Sequence, residues 1–212
     1  MATIEGTTTL LAAGRFPYDG IAANVVWPVT LAEIKSHAQI SHDFEDDLLM
    51  SDFGGYLADA VEEIEARGQV SLIYQRRRLI LDRMPCHEMI AIMRGPLVSV
   101  ESIGYVDCDS QAQVLDASGY RIDNRSKRGG IYFNDTSIIG VDDGEACVWI
   151  DMTCGFGDRS AMVPAQWRQL VSIVATHSYQ RRELASGGGL DDAMERVVNR
   201  KVIAAGGSRR YV

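Results

Sequence analysis

The stretch from Val70 to Thr153 differs from the rest of the chain, because its apolar residues come in short groups separated by turn formers. The separators are Pro85, Gly95-Pro96, Gly104, Gly119, Gly129-Gly130 and Asp142-Asp143-Gly144. Short apolar runs at this spacing are typical of strands joined by tight turns. They predict an antiparallel β unit with strands near 71–82, 97–107, 112–116, 119–123, 130–133 and 145–153.

The segment before the β unit contains a strong helix start. Thr30 is followed three residues later by Glu33, so each side chain can bond the backbone N–H of the other. This capping box predicts a short helix over 31–38. Residues 1–28 are rich in Thr, Ala and Gly, and we expect them to form an irregular arm.

A second, longer helix is predicted between Asp43 and Gly68. Its apolar residues fall close to one helical face: Phe44, Leu48, Phe53, Leu57, Val61 and Ile64. We expect Gly54-Gly55 to lie inside this helix as a weak point that marks a kink or a close helix contact, since glycine costs about 1 kcal/mol relative to alanine there. Gly68 is the expected C-cap.

Helical signals return after the β unit. Pro164 suits the first turn of a helix, where its missing N–H costs nothing, and predicts a helix over 164–184. Gly187-Gly188-Gly189 predicts a hinge, and a last amphipathic helix is expected from Leu190 to Ala204. In that helix, the side chains that we expect to face inward are those of Leu190, Met194, Val197 and Val198.

The order of helices, strands and helices predicts an α+β fold. An N-terminal helix pair and the C-terminal helices form a helical core, with a small antiparallel β unit inserted between them. The expected divisions are an arm over 1–28, a main domain over 29–186, and a hinge, terminal helix and basic tail over 187–212. The main domain contains helices over 30–67, the β unit over 70–153 and a helix over 164–184.

The charge balance opposes some functions. The chain has 29 acidic and 21 basic residues and a net charge of −8. A protein that grips duplex DNA needs many lysines and arginines for the phosphates, so tight DNA binding is not expected. The four cysteines form no Cys-x-x-Cys pair, so we expect no disulfide framework. The sequence has no long apolar run, so we expect no membrane span, and we do not expect its N-terminal residues to act as a signal peptide.

Motifs for catalysis are weak. Gly155-Phe156-Gly157 has the position of a phosphate-binding loop but lacks the third glycine, so a turn is the better interpretation. His37 and His42 lack the spacing of a metal site, and Cys86-His87 are merely neighbours. We therefore expect no enzyme activity, no cofactor and no metal, although catalytic groups can assemble without a local motif.

Two basic runs allow two interpretations each. Arg76-Arg77-Arg78 lies on a predicted strand, where it pairs with nearby acids or contacts DNA or an acidic neighbouring subunit. At the C-terminus, Arg209, Arg210, Tyr211 and Val212 follow a Gly-Gly linker and form either a frayed end or a docking peptide.

Two stretches carry a resemblance to a known family. The first, Arg94 to Asp107, reads RGPLVSVESIGYVD; the second, Trp149 to Glu183, leads from a strand through Gly-Phe-Gly and Val-Pro-Ala into a helix. In this order they resemble the head–tail connector (adaptor) proteins of tailed bacteriophages. The resemblance covers Val29 to Glu183. Two features depart from the family pattern: the order Arg67-Gly68 and the extension from Gly187.

The resemblance implies a structural virion protein at the head–tail junction, made in the host cytoplasm. It implies a ring of twelve copies that joins the portal protein of the capsid vertex to a downstream stopper or tail protein. Genomic DNA would pass through the ring without sequence-specific binding, and no membrane is involved. Residues 209–212 are the expected portal-binding residues. Other interpretations are a head-closure stopper or tail-terminus protein, an enzyme of similar fold, and a DNA-binding regulator.

The acidic second helix carries the remaining candidate site. Its acids either border the DNA channel or meet basic residues of the neighbouring subunit. The residues expected to face the channel or the neighbour are Glu62, Glu63, Arg181 and Arg182.

Overall fold

The computed structural model describes residues 26–41, 55–81, 89–126, 129–134, 148–181 and 192–206. Within these residues the chain forms two compact units. The β unit contains Tyr74–Gly155, and the helical unit contains residues 26–73 and 156–206. The predicted limits of the arm, main domain and hinge stay predictions.

The helical unit contains four described helices: α1 Leu31–Ala38, α2 Tyr56–Gly68, α3 Ala165–Gln180 and α4 Asp192–Ala204. They share one core. Its most deeply buried side chains include Ile34, Leu57, Ile64, Leu170 and Val198, each at most 1% exposed. None of the described helices is both long and apolar enough to cross a membrane.

The start of α1 confirms the capping box. Thr30 Oγ1 accepts from the backbone N–H of Glu33 at 3.2 Å, and Glu33 Oε2 accepts from the N–H of Thr30 at 2.8 Å. The helix spans 31–38 as predicted. It ends because Gln39 adopts the left-handed conformation, with its N–H bonded to carbonyls of the last turn.

The predicted continuity of the second helix through Gly54-Gly55 is wrong at Gly55. Gly55 is extended, with φ −79° and ψ 145°, and α2 begins at Tyr56. Glycine is tolerated at an N-cap and is costly inside a helix, which explains the break. The predicted first part of this helix, residues 43–54, lies outside the described residues.

The predicted C-cap at Gly68 is also displaced by one residue. Gly68 is the last helical residue, and Gln69 takes the left-handed conformation with φ 49° and ψ 52°. Gly68 is instead required for packing. A Cβ atom there would lie 2.7 Å from Cη2 of Trp167, whose ring packs directly on the helix.

The β unit contains seven described strands: β1 Gln75–Leu81, β2 Met89–Ala91, β3 Leu97–Val106, β4 Ala112–Val114, β5 Tyr120–Asp123, β6 Gly130–Phe133 and β7 Val148–Cys154. They form a four-stranded sheet in the order β1-β7-β3-β4 and a three-stranded sheet in the order β2-β6-β5. Every pairing is antiparallel. The β unit has its own apolar core, which includes the buried side chains of Ile103, Ile131 and Ile150.

The predicted strands correspond to all of these except β2, which the sequence pattern did not indicate. β7 shows why periodicity works here, because its residues alternate between buried and half-buried along the strand. The N-terminal part of the strand predicted over 145–153 lies outside the described residues.

The C-terminal helices are found close to their predicted positions. α3 begins directly after Pro164, as its N-terminal proline predicted. In α4 the inward position of Val198 is confirmed, but that of Val197 is wrong, since its side chain is 45% exposed. Val202, one helical turn after Val198, is buried instead. Leu190 and Gly187-Gly188-Gly189 lie outside the described residues. The α+β fold, with an antiparallel β unit between helices, is confirmed.

Candidate interaction surfaces

One face of the four-stranded sheet carries a row of polar bonds across its strands. Arg78 on β1 stands opposite Asp151 on β7 and binds it with two contacts, Nε to Oδ1 at 2.7 Å and Nη2 to Oδ2 at 2.9 Å. Ser102 on β3 donates its hydroxyl to the same carboxylate at 3.2 Å. This bidentate geometry is the strong form of an Arg–carboxylate pair.

A second row lies one step along the strands. Arg76 Nε lies 3.4 Å from Glu101 Oε1, and Thr153 Oγ1 donates to that oxygen at 2.7 Å. Arg77 donates to Gln75 at 2.6 Å. For Arg76 and Arg78 the structure therefore supports pairing with acids of the same sheet. A pocket of about 110 Å³ between these side chains is smaller than the several hundred Å³ of a typical ligand site.

An apolar strip lies beside the polar rows on the same sheet. Trp149 on β7 stands between Ile80 on β1 and Gly104 on β3, and Gly104 pairs with Val114 on β4. The indole occupies the space that a Cβ on Gly104 would need. Val114 is 71% exposed and Trp149 is half-buried. An aromatic and aliphatic strip with a polar flank has the composition of a protein interface.

In the helical unit, Arg67 ties α2 to α4. Its guanidinium bonds to Glu63 on its own helix, to Glu195 Oε1 at 3.1 Å and to Asn199 Oδ1 at 2.8 Å. Glu63, an expected site residue, is therefore engaged within the subunit. Glu62, the neighbouring expected residue, is exposed.

Glu65 is an exception to the expectation that the acids of this helix face the channel or a neighbouring subunit. Its side chain is only 5% exposed, and its Oε1 accepts from the backbone N–H of Leu72 at 2.8 Å. A buried carboxylate is stable only with such partners. Glu65 therefore holds the chain that leaves α2 and adds no charge to the surface.

The contacts between α1 and α3 use two further polar pairs. His37 Nδ1 lies 3.1 Å from Thr176 Oγ1, and Arg168 Nη1 donates to Glu33 Oε1 at 2.8 Å. Neither pair could be predicted from local sequence patterns, because the members of each pair are more than 130 residues apart. The described residues contain no cluster of three His, Cys, Asp or Glu that could hold a metal ion. His42 lies outside them.

The thiol of Cys154 is held in its protonated form. Burial raises its pKa to about 11, against a smaller opposing effect of Arg77. A cysteine nucleophile needs the thiolate, which is disfavoured here.

Gly155-Phe156-Gly157 forms a turn after β7, as expected. Gly155 has a φ of 138°, and its N–H bonds to the carbonyl of Pro96 at 2.9 Å. A Cβ on Gly157 would overlap Met162. The two glycines are thus explained by backbone conformation and packing.

The remaining predicted site residues lie near or beyond the described segments. Arg181 is exposed and forms the C-cap of α3. Arg182, Arg209, Arg210, Tyr211 and Val212 lie outside the described residues. Two exposed arginines on α4, Arg196 and Arg200, were missed by the sequence analysis, although their i, i+4 spacing places them on one helical face.

No protein-family model and no curated protein matches the chain. Several solved structures match the chain. A chain in the virion of a native gene transfer agent particle matches with a TM-score of 0.66 at 24% identity, over 90% of this chain and 95% of that one. A chain in the neck of an empty gene transfer agent particle, computed with C6 symmetry, matches with a TM-score of 0.64 at 24% identity, over 84% and 92%.

A third match lies in the neck of a native gene transfer agent particle computed with C12 symmetry. Its TM-score is 0.58 at 22% identity, and it covers 84% of this chain and 91% of that one. At these identities the likeness establishes the fold. This chain therefore has the fold of a chain found in the neck of a phage-like particle.

Proposed function

We propose that this protein is a structural component of the neck of a phage-like particle, where it forms the adaptor ring between the portal vertex and the tail. The observation that carries the proposal is the fold likeness to neck chains, which extends over nearly the whole length of both partners. Fold alone does not fix function. The motifs around Gly155 and Arg94 add independent support, because they resemble the adaptor family.

The proposed ring contains twelve copies that surround the DNA exit channel. Cyclic symmetry in the matching necks, C6 or C12, supports a closed ring. The net charge of −8 suits a ring through which DNA moves without being gripped, because phosphates and acidic side chains repel each other. The proposed partners are the portal protein above and a stopper or tail protein below.

The proposed role is structural and not enzymatic. The ionisable groups that the fold brings together are engaged in support of the backbone or of neighbouring helices and strands. Asp151 holds β1 to β7, Glu65 holds the exit from α2, and His37 joins α1 to α3. These bonds stabilise the fold by connecting its strands and helices.

Residues 209–212 are proposed to bind the portal protein, since they form a basic end on an acidic chain. Deletion of 206–212 should weaken portal binding, measured by surface plasmon resonance with the assembled portal. Unchanged affinity would remove this part of the proposal and leave the adaptor role untouched.

The experiment that tests the function is native mass spectrometry of the full chain mixed with the portal protein of the same genome. The proposal predicts one complex with about twelve copies of each protein, as cyclic symmetry requires. A complex with the tail protein and none with the portal would favour the stopper or tail-terminus interpretation. No complex with either protein over a range of salt concentrations would contradict a neck function.

A further inference from the structure

An acidic stripe lies on the exposed side of α2. It consists of Asp59, Glu62 and Ala66, which are all exposed and follow one another at steps of three and four residues. Residues at this spacing share one helical face. Within the part of the chain that the structure describes, neither carboxylate forms an ion pair.

A basic stripe lies on the exposed side of α4. It consists of Arg196 and Arg200, which are four residues apart, with Val197, 45% exposed, beside Arg200 at a spacing of three residues. Among the described residues, neither guanidinium has an acidic partner. The stripe therefore combines two available positive charges with an apolar side chain.

The two stripes do not face each other within one subunit. The bond between Arg67 and Glu195 marks where α2 and α4 meet. At about 100° per residue, Glu62 and Asp59 lie about 140° and 80° around α2 from Arg67. Arg200 and Arg196 lie about 140° and 100° around α4 from Glu195. Both stripes therefore lie to the side of the contact between α2 and α4, where their charges have no partner among the described residues and are available to another molecule.

We propose that the acidic stripe of one copy binds the basic stripe of the next copy and so closes the ring. This inference rests on the proposed function. A closed ring needs a head-to-tail interface in which two different, complementary surfaces of one chain meet. The two stripes meet that requirement in charge, and the exposed Val197 supplies an apolar contact beside Arg200. Complementary charge also fixes which surfaces pair.

The test is a charge exchange in the full chain. The acid variant carries Asp59→Lys and Glu62→Lys, the base variant carries Arg196→Glu and Arg200→Glu, and the exchanged variant carries all four. Native mass spectrometry with the portal protein gives the protein concentration at which half of the rings are complete. A control variant carries Asp109→Lys and Arg125→Glu, two reversals at exposed positions of the β unit.

The inference predicts that the acid variant and the base variant each need at least a tenfold higher concentration, because every interface then places like charges together. The exchanged variant should return to within threefold of the native chain, and the control should not change. Circular dichroism should show the same helix content in all variants, since all four side chains are exposed.

Two results would overturn the inference while leaving the adaptor role intact. One is ring completion by the acid and base variants at the native concentration. The other is failure of the exchanged variant to recover although it is folded, which would show that the stripes bind different partners. If the native chain itself forms no ring with the portal, the proposed function fails, and the inference fails with it.

Discussion

Gly68→Ala is expected to destabilise the protein mainly through contact with Trp167, and less through contact with Val70, whose Cγ1 would lie 3.1 Å from the new Cβ. A Cβ at residue 68 would lie 2.7 Å from Cη2 and 2.8 Å from Cζ3 of the indole. Trp167 is 4% exposed and belongs to the core of the helical unit, so its ring has no open space into which to retreat.

The size of the effect follows from packing. Carbon atoms sit about 3.5–4.0 Å apart at their best distance, so the ring must move by roughly 1 Å in a close-packed interior. Such overpacking costs about 1–3 kcal/mol. Alanine gains up to about 1 kcal/mol over glycine in a helix, and less at the last helical residue. The net loss in the free energy of unfolding should be about 1–2 kcal/mol.

The assay is urea denaturation of Gly68→Ala, Trp167→Phe and the double variant. The two clashing atoms belong to the outer ring of the indole, which phenylalanine lacks. Trp167→Phe alone should destabilise by leaving a cavity. In that background Gly68→Ala should cost clearly less, because only the 3.1 Å approach to Val70 Cγ1 remains. Ala66→Gly, at an exposed position of the same helix, measures helix propensity alone and should cost the same in both backgrounds.

An equal loss from Gly68→Ala in both backgrounds would refute this reasoning, because the cost would then not depend on the indole. A gain in stability from Gly68→Ala in the chain with native Trp167 would also contradict it.

Three further changes have clear expectations. Glu65→Ala removes the acceptor of the Leu72 N–H and should cost about 1–3 kcal/mol in urea denaturation. Thr30→Ala removes an N-cap and should cost about 1 kcal/mol in the same assay. Iodoacetamide at pH 8 should modify exposed Cys108 and spare Cys154, as shown by peptide mapping. Because folding raises the pKa of Cys154 from 9.0 to about 11, its contribution to stability is present below pH 9 and is lost towards pH 11.

Local signals in the sequence predicted much of the fold. The capping box at Thr30, the proline before α3 and the alternation of β7 each depend on neighbouring residues, and each is found. The break at Gly55 was misjudged because the apolar period on both sides is helical. Only the cost of consecutive glycines indicated that the helix stops there.

The surfaces were harder to predict, because they depend on residues distant in sequence. Arg67 meets Glu195 across 128 positions, and Arg78 meets Asp151 across 73. No periodicity shows which acid neutralises which arginine. Val197 was assigned inward together with Leu190, Met194 and Val198, but it lies about 100° around the helix from the buried Val198, which places it at the exposed edge of that face.

The proposed role as a neck adaptor can be tested by the copy number of this protein in purified particles. Quantitative mass spectrometry with isotope-labelled peptides would give its amount relative to the portal protein. An adaptor ring should be present at a ratio close to one, as expected for stacked rings of equal symmetry. Absence from purified particles, or an amount several times that of the portal protein, would contradict it.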